Sequence, residues 1–119
     1  MNTQTVDLDL DKHPSNQVVY LGQRDRQGTR IRARITDNGE PLALSGLTVR
    51  LVVLLPDGMT VYRATPNTRS GNTATWYLAS LVPTGIPGRT DVAYVEIESG
   101  DTVVTTSRFM VTILDAAQK

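Results

Sequence analysis

The sequence predicts an all-β fold, an antiparallel β-sandwich of about eight strands in a single domain spanning residues 1–119. Three observations predict it. Apolar residues recur at every second position through most of the chain, the period of a strand with one buried face. Clusters of Gly, Pro, Asn and Asp separate these stretches at roughly regular spacing. No stretch of ten residues carries the 3.6-residue period of an amphipathic helix, which argues against a parallel α/β sheet.

The strongest stretch is Leu47–Arg63, LTVRLVVLLPDGMTVYR. Leu47, Val49, Leu51 and Val53 alternate, and Val52 and Leu54 fill the other face, so the second half of this strand is expected to be covered on both sides. Pro56-Asp57-Gly58 supplies a turn: Pro fixes φ, Asp accepts local backbone bonds and Gly tolerates positive φ. Met59, Val61 and Arg63 then continue the alternation, giving a β-hairpin that the rest of the chain must cover.

The remaining elements follow in order. Thr5–Asp11 (TVDLDLD) alternates Val6, Leu8 and Leu10 with three aspartates. His13-Pro14-Ser15-Asn16 breaks the chain. Gln17–Leu21 is a short strand and Gly22–Gly28 a charged loop. Thr29–Thr36 (TRIRARIT) sets Ile31, Ala33 and Ile35 against Arg30, Arg32 and Arg34. Asp37–Pro41 is a dense turn signal. Leu42, Leu44 and Leu47 form a crossing segment that feeds the central strand. Thr65–Gly71 reads as a loop and Thr73–Leu78 as a strand. Ala79–Gly88, with two prolines, has room for one helical turn at Leu81–Val82. Thr90–Glu98, the turn Ser99-Gly100-Asp101, and Thr102–Leu114 with a bend at Ser107-Arg108 complete the domain. The core is expected over about 17–114, with residues 1–4 and 115–119 frayed.

Totals exclude several classes. A chain of 119 residues forms about one domain and can bury a core without staples. There is no cysteine, hence no disulfide framework or thiolate chemistry. Zero formal charge argues against bulk attraction to nucleic acid or anionic membrane. The longest apolar run, Leu51–Leu55, is far short of the ~20 residues needed to cross a bilayer, and the acidic N-terminus lacks the apolar region of a secretory signal. Of the 12 basic residues most are Arg, the type suited to bidentate pairing and interfaces.

No constellation carries catalysis. Asp7, Asp9 and Asp11 open like an EF-hand loop, but Lys12 stands where its turn glycine belongs and Val18 where its bidentate Glu belongs. A solvated strand face is the better reading, and no metal site is expected. His13 stands alone in a loop. Glu96 and Glu98 share a strand face, which is usually only a soluble one. There is no phosphate loop, no nucleophile elbow and no His/Cys/acid cluster at metal spacing. The chain is therefore read as no enzyme, with no catalytic residue and no cofactor. The aspartate row and the arginine row share period and opposite sign, so neighbouring strands would form a cross-strand charge ladder.

The succession RIRARITDNGEPLALSGLTVRLVVLLPDGMTVYR resembles the N-terminal domain of phage upper baseplate (BppU-like) tail proteins. In that family a basic alternating strand runs into D-N-G-x-P-x-x-L-S-G, here within Thr36–Gly46, and then into a strand ending P-D-G, here Pro56–Gly58. Glu96-Ile97, Gly100-Asp101 and Phe109 stand where the family's closing hairpin has its own. The likeness covers roughly residues 17–114. It implies an immunoglobulin-like β-sandwich in a virion component assembled in the host bacterial cytoplasm, with other tail or baseplate proteins, or further copies of itself, as partners. In the family a following region carries a receptor-binding protein. Only a short tail follows the sandwich here, so the expectation is a stand-alone tail or head-decoration module, or a prophage remnant.

Two functions follow. The first is a structural protein that docks by exposed edges and by a candidate interaction face at Arg30, Arg32 and Arg34. A nucleic-acid patch would carry interleaved aromatics, which this row lacks. The alternative is a small carbohydrate-binding module in which Trp76, with Tyr77, Tyr62 or Tyr94, forms a stacking platform. A core position for Trp76 is the competing reading of that residue.

Overall fold

A computed structural model describes residues 2–11, 17–22, 29–55, 58–59, 61–77 and 88–114. Eleven strands follow in order: β1 (Asn2–Asp9), β2 (Val18–Gly22), β3 (Thr29–Asp37), β4 (Glu40–Pro41), β5 (Thr48–Leu54), β6 (Val61–Ala64), β7 (Thr68–Ser70), β8 (Thr73–Tyr77), β9 (Gly88–Ser99), β10 (Thr102–Thr105) and β11 (Phe109–Leu114). No helix occurs among the described residues. The strands form two sheets. Sheet 1 runs β1-β3-β8-β7, with β4 paired to the end of β3; sheet 2 runs β2-β11-β9-β5-β6, with β10 paired to the far half of β9.

Period-2 alternation decides the layers. Val6 and Leu8 of β1, Ile31, Ala33 and Ile35 of β3, and Ala74 and Trp76 of β8 point inward from sheet 1. Val19, Val49, Leu51, Val53, Ala93, Val95, Ile97, Phe109 and Val111 meet them from sheet 2. Leu44 and Leu55 seal the core from the connecting segments. Val52 is buried as well, yet its parity sets it on the opposite face of β5 from Leu51 and Val53, beside Tyr94 and Arg63 in the neighbouring strands. The expected two-sided covering of this strand therefore holds at Val52. The β5–β6 hairpin also forms as expected, pairing Leu54 with Val61.

Three expectations are corrected. The sandwich is mixed rather than antiparallel: β1 pairs parallel with β3, and β2 pairs parallel with β11. The chain leaves sheet 1 after β1, lays β2 in sheet 2 and returns as β3, so β1 and β3 enter one sheet with the same polarity. Alternation fixes faces and says nothing of direction. Among the described residues there are eleven strands rather than about eight: β4 and β7 are short, polar and exposed, and read as turn and loop, and the closing stretch divides into β10 and β11 at its bend. The core also begins before residue 17: residues 2–4 pair with 29–31 instead of fraying, and Val6 and Leu8 are wholly buried. The break at 13–16, the residues Pro56-Asp57, the turn at Leu81–Val82 and the tail 115–119 lie outside the described residues.

Turn chemistry behaves as its residues require. Asp37 pairs with Glu40 around Asn38 (φ 52°) and Gly39 (φ 88°), a two-residue hairpin turn with both centres left-handed. The bend between β10 and β11 is polar and buried. The Thr106 hydroxyl accepts from the Val95 N–H and donates to the Ser107 carbonyl, both at 3.0 Å. Ser107 N–H donates to the Asp9 carbonyl at 2.9 Å, tying the bend of sheet 2 to the end of β1.

Candidate functional site

The outer face of sheet 1 collects the side chains that the inward alternation leaves out. Its rows follow from register: Thr3–Arg30–Tyr77, Thr5–Arg32–Thr75–Thr68, and Asp7–Arg34–Thr73–Ser70. Three arginines on β3 thus run down the middle of a surface otherwise made largely of hydroxyl side chains. Each arginine has a different environment. Arg34 forks onto Asp7, with Nε–Oδ1 at 2.6 Å and a second bond at 3.0 Å, and this partner raises its already high pKa. The Arg30 guanidinium lies 4.2 Å from the centroid of the Tyr77 ring, a cation–π contact that leaves its Nε buried without a hydrogen-bond acceptor among the described residues. Arg32 is exposed between Thr5 and Thr75 and has no partner among the described residues.

The expected charge ladder is realised at one rung. The parallel register pairs Asp7 with Arg34 but sets Thr3 beside Arg30, Thr5 beside Arg32 and Asp9 beside Thr36. Asp9 serves backbone instead. Its carboxylate accepts from the Thr36 hydroxyl at 2.5 Å and from the N–H groups of Asp11, Asn38 and Gly39 at 2.9, 3.0 and 2.8 Å. The Thr36 hydroxyl first, and these N–H groups with it, hold the Asp9 carboxyl well below the usual carboxylate range. Oxygens already committed to donors are the reverse of what a cation site needs. Among the described residues no group of three His, Cys, Asp or Glu side chains converges as a metal site would require.

Other candidates resolve into structure. Glu96 and Glu98 flank Arg50, whose Nη1 lies 3.2 and 3.0 Å from their oxygens, so the carboxylate pair is an ion-pair network across β5 and β9. Trp76 has 0% exposure and donates its indole N–H to the Ala64 carbonyl at 2.9 Å. That burial removes the stacking platform from the carbohydrate reading. Tyr77 lies under Arg30, and Tyr62 is packed against the core. Two shallow crevices of about 370 and 420 Å³ adjoin the β6–β7 link, one reaching Leu47, Asn67 and Arg69 and the other Arg50, Tyr62 and Arg63. Neither is lined by an Asp, Glu or His.

One feature had no sequence signal. Two glutamine side chains act as strand substitutes on the flank where β1 and β2 lie. The Gln17 carboxamide accepts from the Asp7 N–H and donates to the Asp7 carbonyl, both at 2.6 Å. Gln4 does the same to Tyr20, at 2.8 and 2.6 Å. Each edge strand thus has a peptide group on its open side satisfied by a side chain carried from the other sheet's flank. Gln4 and Gln17 are 13 positions apart in ordinary strand and loop contexts, so only the fold brings out the pairing.

The family model for the BppU N-terminal domain matches residues 2–71, which includes the first strand and the D-N-G and P-D-G turns. Among solved structures, the chain is similar to the N-terminal domain of phage TP901-1 ORF48, with 21% sequence identity and a TM-score of 0.71. That similarity covers 95% of this chain and 98% of the other, which shows a shared fold over the whole sandwich. No curated protein matches the chain.

Proposed function

Because the chain belongs to the BppU N-terminal domain family and so has a structural role in a phage baseplate, we propose that it is a docking module that joins other tail or baseplate proteins through the outer face of sheet 1. Arg32 carries this reading. It is an exposed guanidinium with no partner among the described residues, in the middle of a regular hydroxyl surface, while its neighbours Arg34 and Arg30 are engaged by Asp7 and Tyr77. Holding Arg30 and Arg34 in place keeps the row extended at little further entropic cost on binding. A planar guanidinium in such a frame suits a carboxylate on a protein partner. The domain is electrically neutral, which fits a specific contact better than a diffuse attraction. Assembly takes place in the host cytoplasm before the domain enters the virion. No enzymatic step belongs to this reading, since the family is one of phage structural domains.

The test is binding of the purified protein to each tail and baseplate protein encoded beside it, measured by biolayer interferometry. One of them binds, and Arg32→Glu weakens that binding at least tenfold while Arg108→Glu, an exposed residue next to the buried Thr106 and Ser107 of the β10–β11 bend, does not. Equal binding by the wild type and Arg32→Glu would remove sheet 1 as the docking face.

A further inference from the structure

The edges of this sandwich are unequally protected. β1 and β2 carry the Gln17 and Gln4 clamps. β4 is two residues long and contains Pro41. β6 presents the exposed Arg63, and its Ala64 carbonyl is taken by Trp76. β7 presents Arg69, whose guanidinium crosses to the Leu47 carbonyl. Charges, prolines and capped backbone are the devices by which edge strands avoid pairing with other chains. β10 has none of them. It reads Thr102-Val103-Val104-Thr105, is bonded on one side only, to β9, and exposes Val103 by 53% and Val104 by 37%. No side chain among the described residues caps its open side.

We propose that β10 is a self-association edge that pairs antiparallel with β10 of a second copy of this chain about a two-fold axis, joining two copies of sheet 2 into one continuous sheet. The strand itself argues for a second copy over an unlike partner. It is uncharged, so two copies meet without like-charge opposition, and the whole chain is neutral. A two-fold axis normal to the sheet keeps each face on its own side, so a residue must oppose one of the same parity. Centring the axis on Val103 meets that condition. It sets the more exposed valine against its own copy, Thr102 against Val104 of the second copy, and Asp101 against Thr105 of the second copy. Val103 sits beside Glu98 in the β9–β10 ladder, and Glu98 is paired with Arg50, which it shares with Glu96. So short a pairing buries little area, so the dimer is weak and reversible in solution and is favoured where copies are held close together. This surface is separate from the sheet 1 face, and its failure leaves that reading untouched.

The chain contains no cysteine, so Val103→Cys introduces the sole thiol and the two-fold axis sets two such thiols opposite each other, within disulfide reach. Under mild oxidation Val103→Cys is expected to cross-link at least ten times faster than Val61→Cys, a comparably exposed position on β6 (47%). Sedimentation velocity is expected to show concentration-dependent dimers for the wild type and for Val103→Thr, with association weakened at least tenfold in Val103→Lys. Circular dichroism checks that the variants fold. Cross-linking no faster at position 103 than at 61, or a wild type that stays monomeric up to roughly 0.5 mM, the range in which weak contacts register, would overturn the proposal.

Discussion

Truncating Trp76 measures how far the sandwich depends on one side chain. Trp76 has no exposure, lies opposite Ile31 across the β3–β8 ladder and reaches the Ala64 carbonyl of sheet 2 with its indole N–H. Trp76→Ala removes the largest wholly buried side chain. Large-to-small aromatic changes in a close-packed core cost about 3–5 kcal/mol, and the upper part of that range is expected because the Ala64 carbonyl also loses its donor. Trp76→Phe separates the two contributions. It keeps most of the apolar volume and deletes the N–H, so its cost is expected near the ~1–3 kcal/mol of an unsatisfied buried acceptor. Against a total of roughly 5–15 kcal/mol for a domain of this kind, Trp76→Ala consumes a large share. The assay is urea unfolding followed by far-ultraviolet circular dichroism, since the variants lack the indole probe. In the wild type, tryptophan emission is expected to be blue-shifted and poorly quenched by iodide. A loss under about 1 kcal/mol for Trp76→Ala, a value normal for surface positions, would refute the placement of this residue as the keystone of the interior.

Acid sensitivity should centre on Asp9. Its carboxyl is held below the ordinary value of 3.8, so the folded state binds fewer protons than the unfolded one. Its contribution is fully present above the unfolded value and is lost as pH falls toward the folded one. Thermal melts between pH 5 and 2 should show a steep fall for the wild type and a shallower one for Asp9→Asn. Removing a glutamine clamp should loosen one edge: Gln4→Ala is expected to speed amide exchange at Tyr20 at least tenfold, with exchange at Val95 in the sheet centre unchanged. Gly39→Ala forces a Cβ into a backbone at φ 88° with nothing within 4 Å to obstruct it, so the cost is conformational alone, about 1–2 kcal/mol by urea unfolding.

Much of this architecture could be read from periodicity. Val6 and Leu8, Ile31 through Ile35, Val49 through Val53 and Ala93 through Ile97 announce one buried face each, and the folded chain buries them. The bend at Ser107-Arg108 fell where two β-capable halves met a polar pair. Strand direction was not legible, because Val6 faces the core equally well beside a parallel or an antiparallel β3. The short strands β4 and β7 escaped because a three-residue polar strand has the composition of a loop; their backbone is ordered by β3 and β8, not by their own residues. At the candidate site, the arginine row was visible as a row, but its division into Arg34 bound to Asp7, Arg30 on Tyr77 and an unpaired Arg32 depends on a register that turn residues alone do not set. The glutamine clamps were wholly hidden, since a carboxamide that imitates a peptide looks like any other polar side chain until its target strand is placed.

The parallel seam between β2 and β11 has a consequence for how the chain is made. Every strand of sheet 1 is present once synthesis passes Tyr77, so that layer can begin to pair while the remainder is still being translated. In sheet 2 only the β5–β6 hairpin can pair that early: β2 must wait for a neighbour encoded some ninety positions later, between it and β9. Until Leu114 emerges from the ribosome, the greasy side of the first layer has no finished second layer to meet, and that interval is when a nascent chain of this kind is most vulnerable to aggregation or to a chaperone's grip.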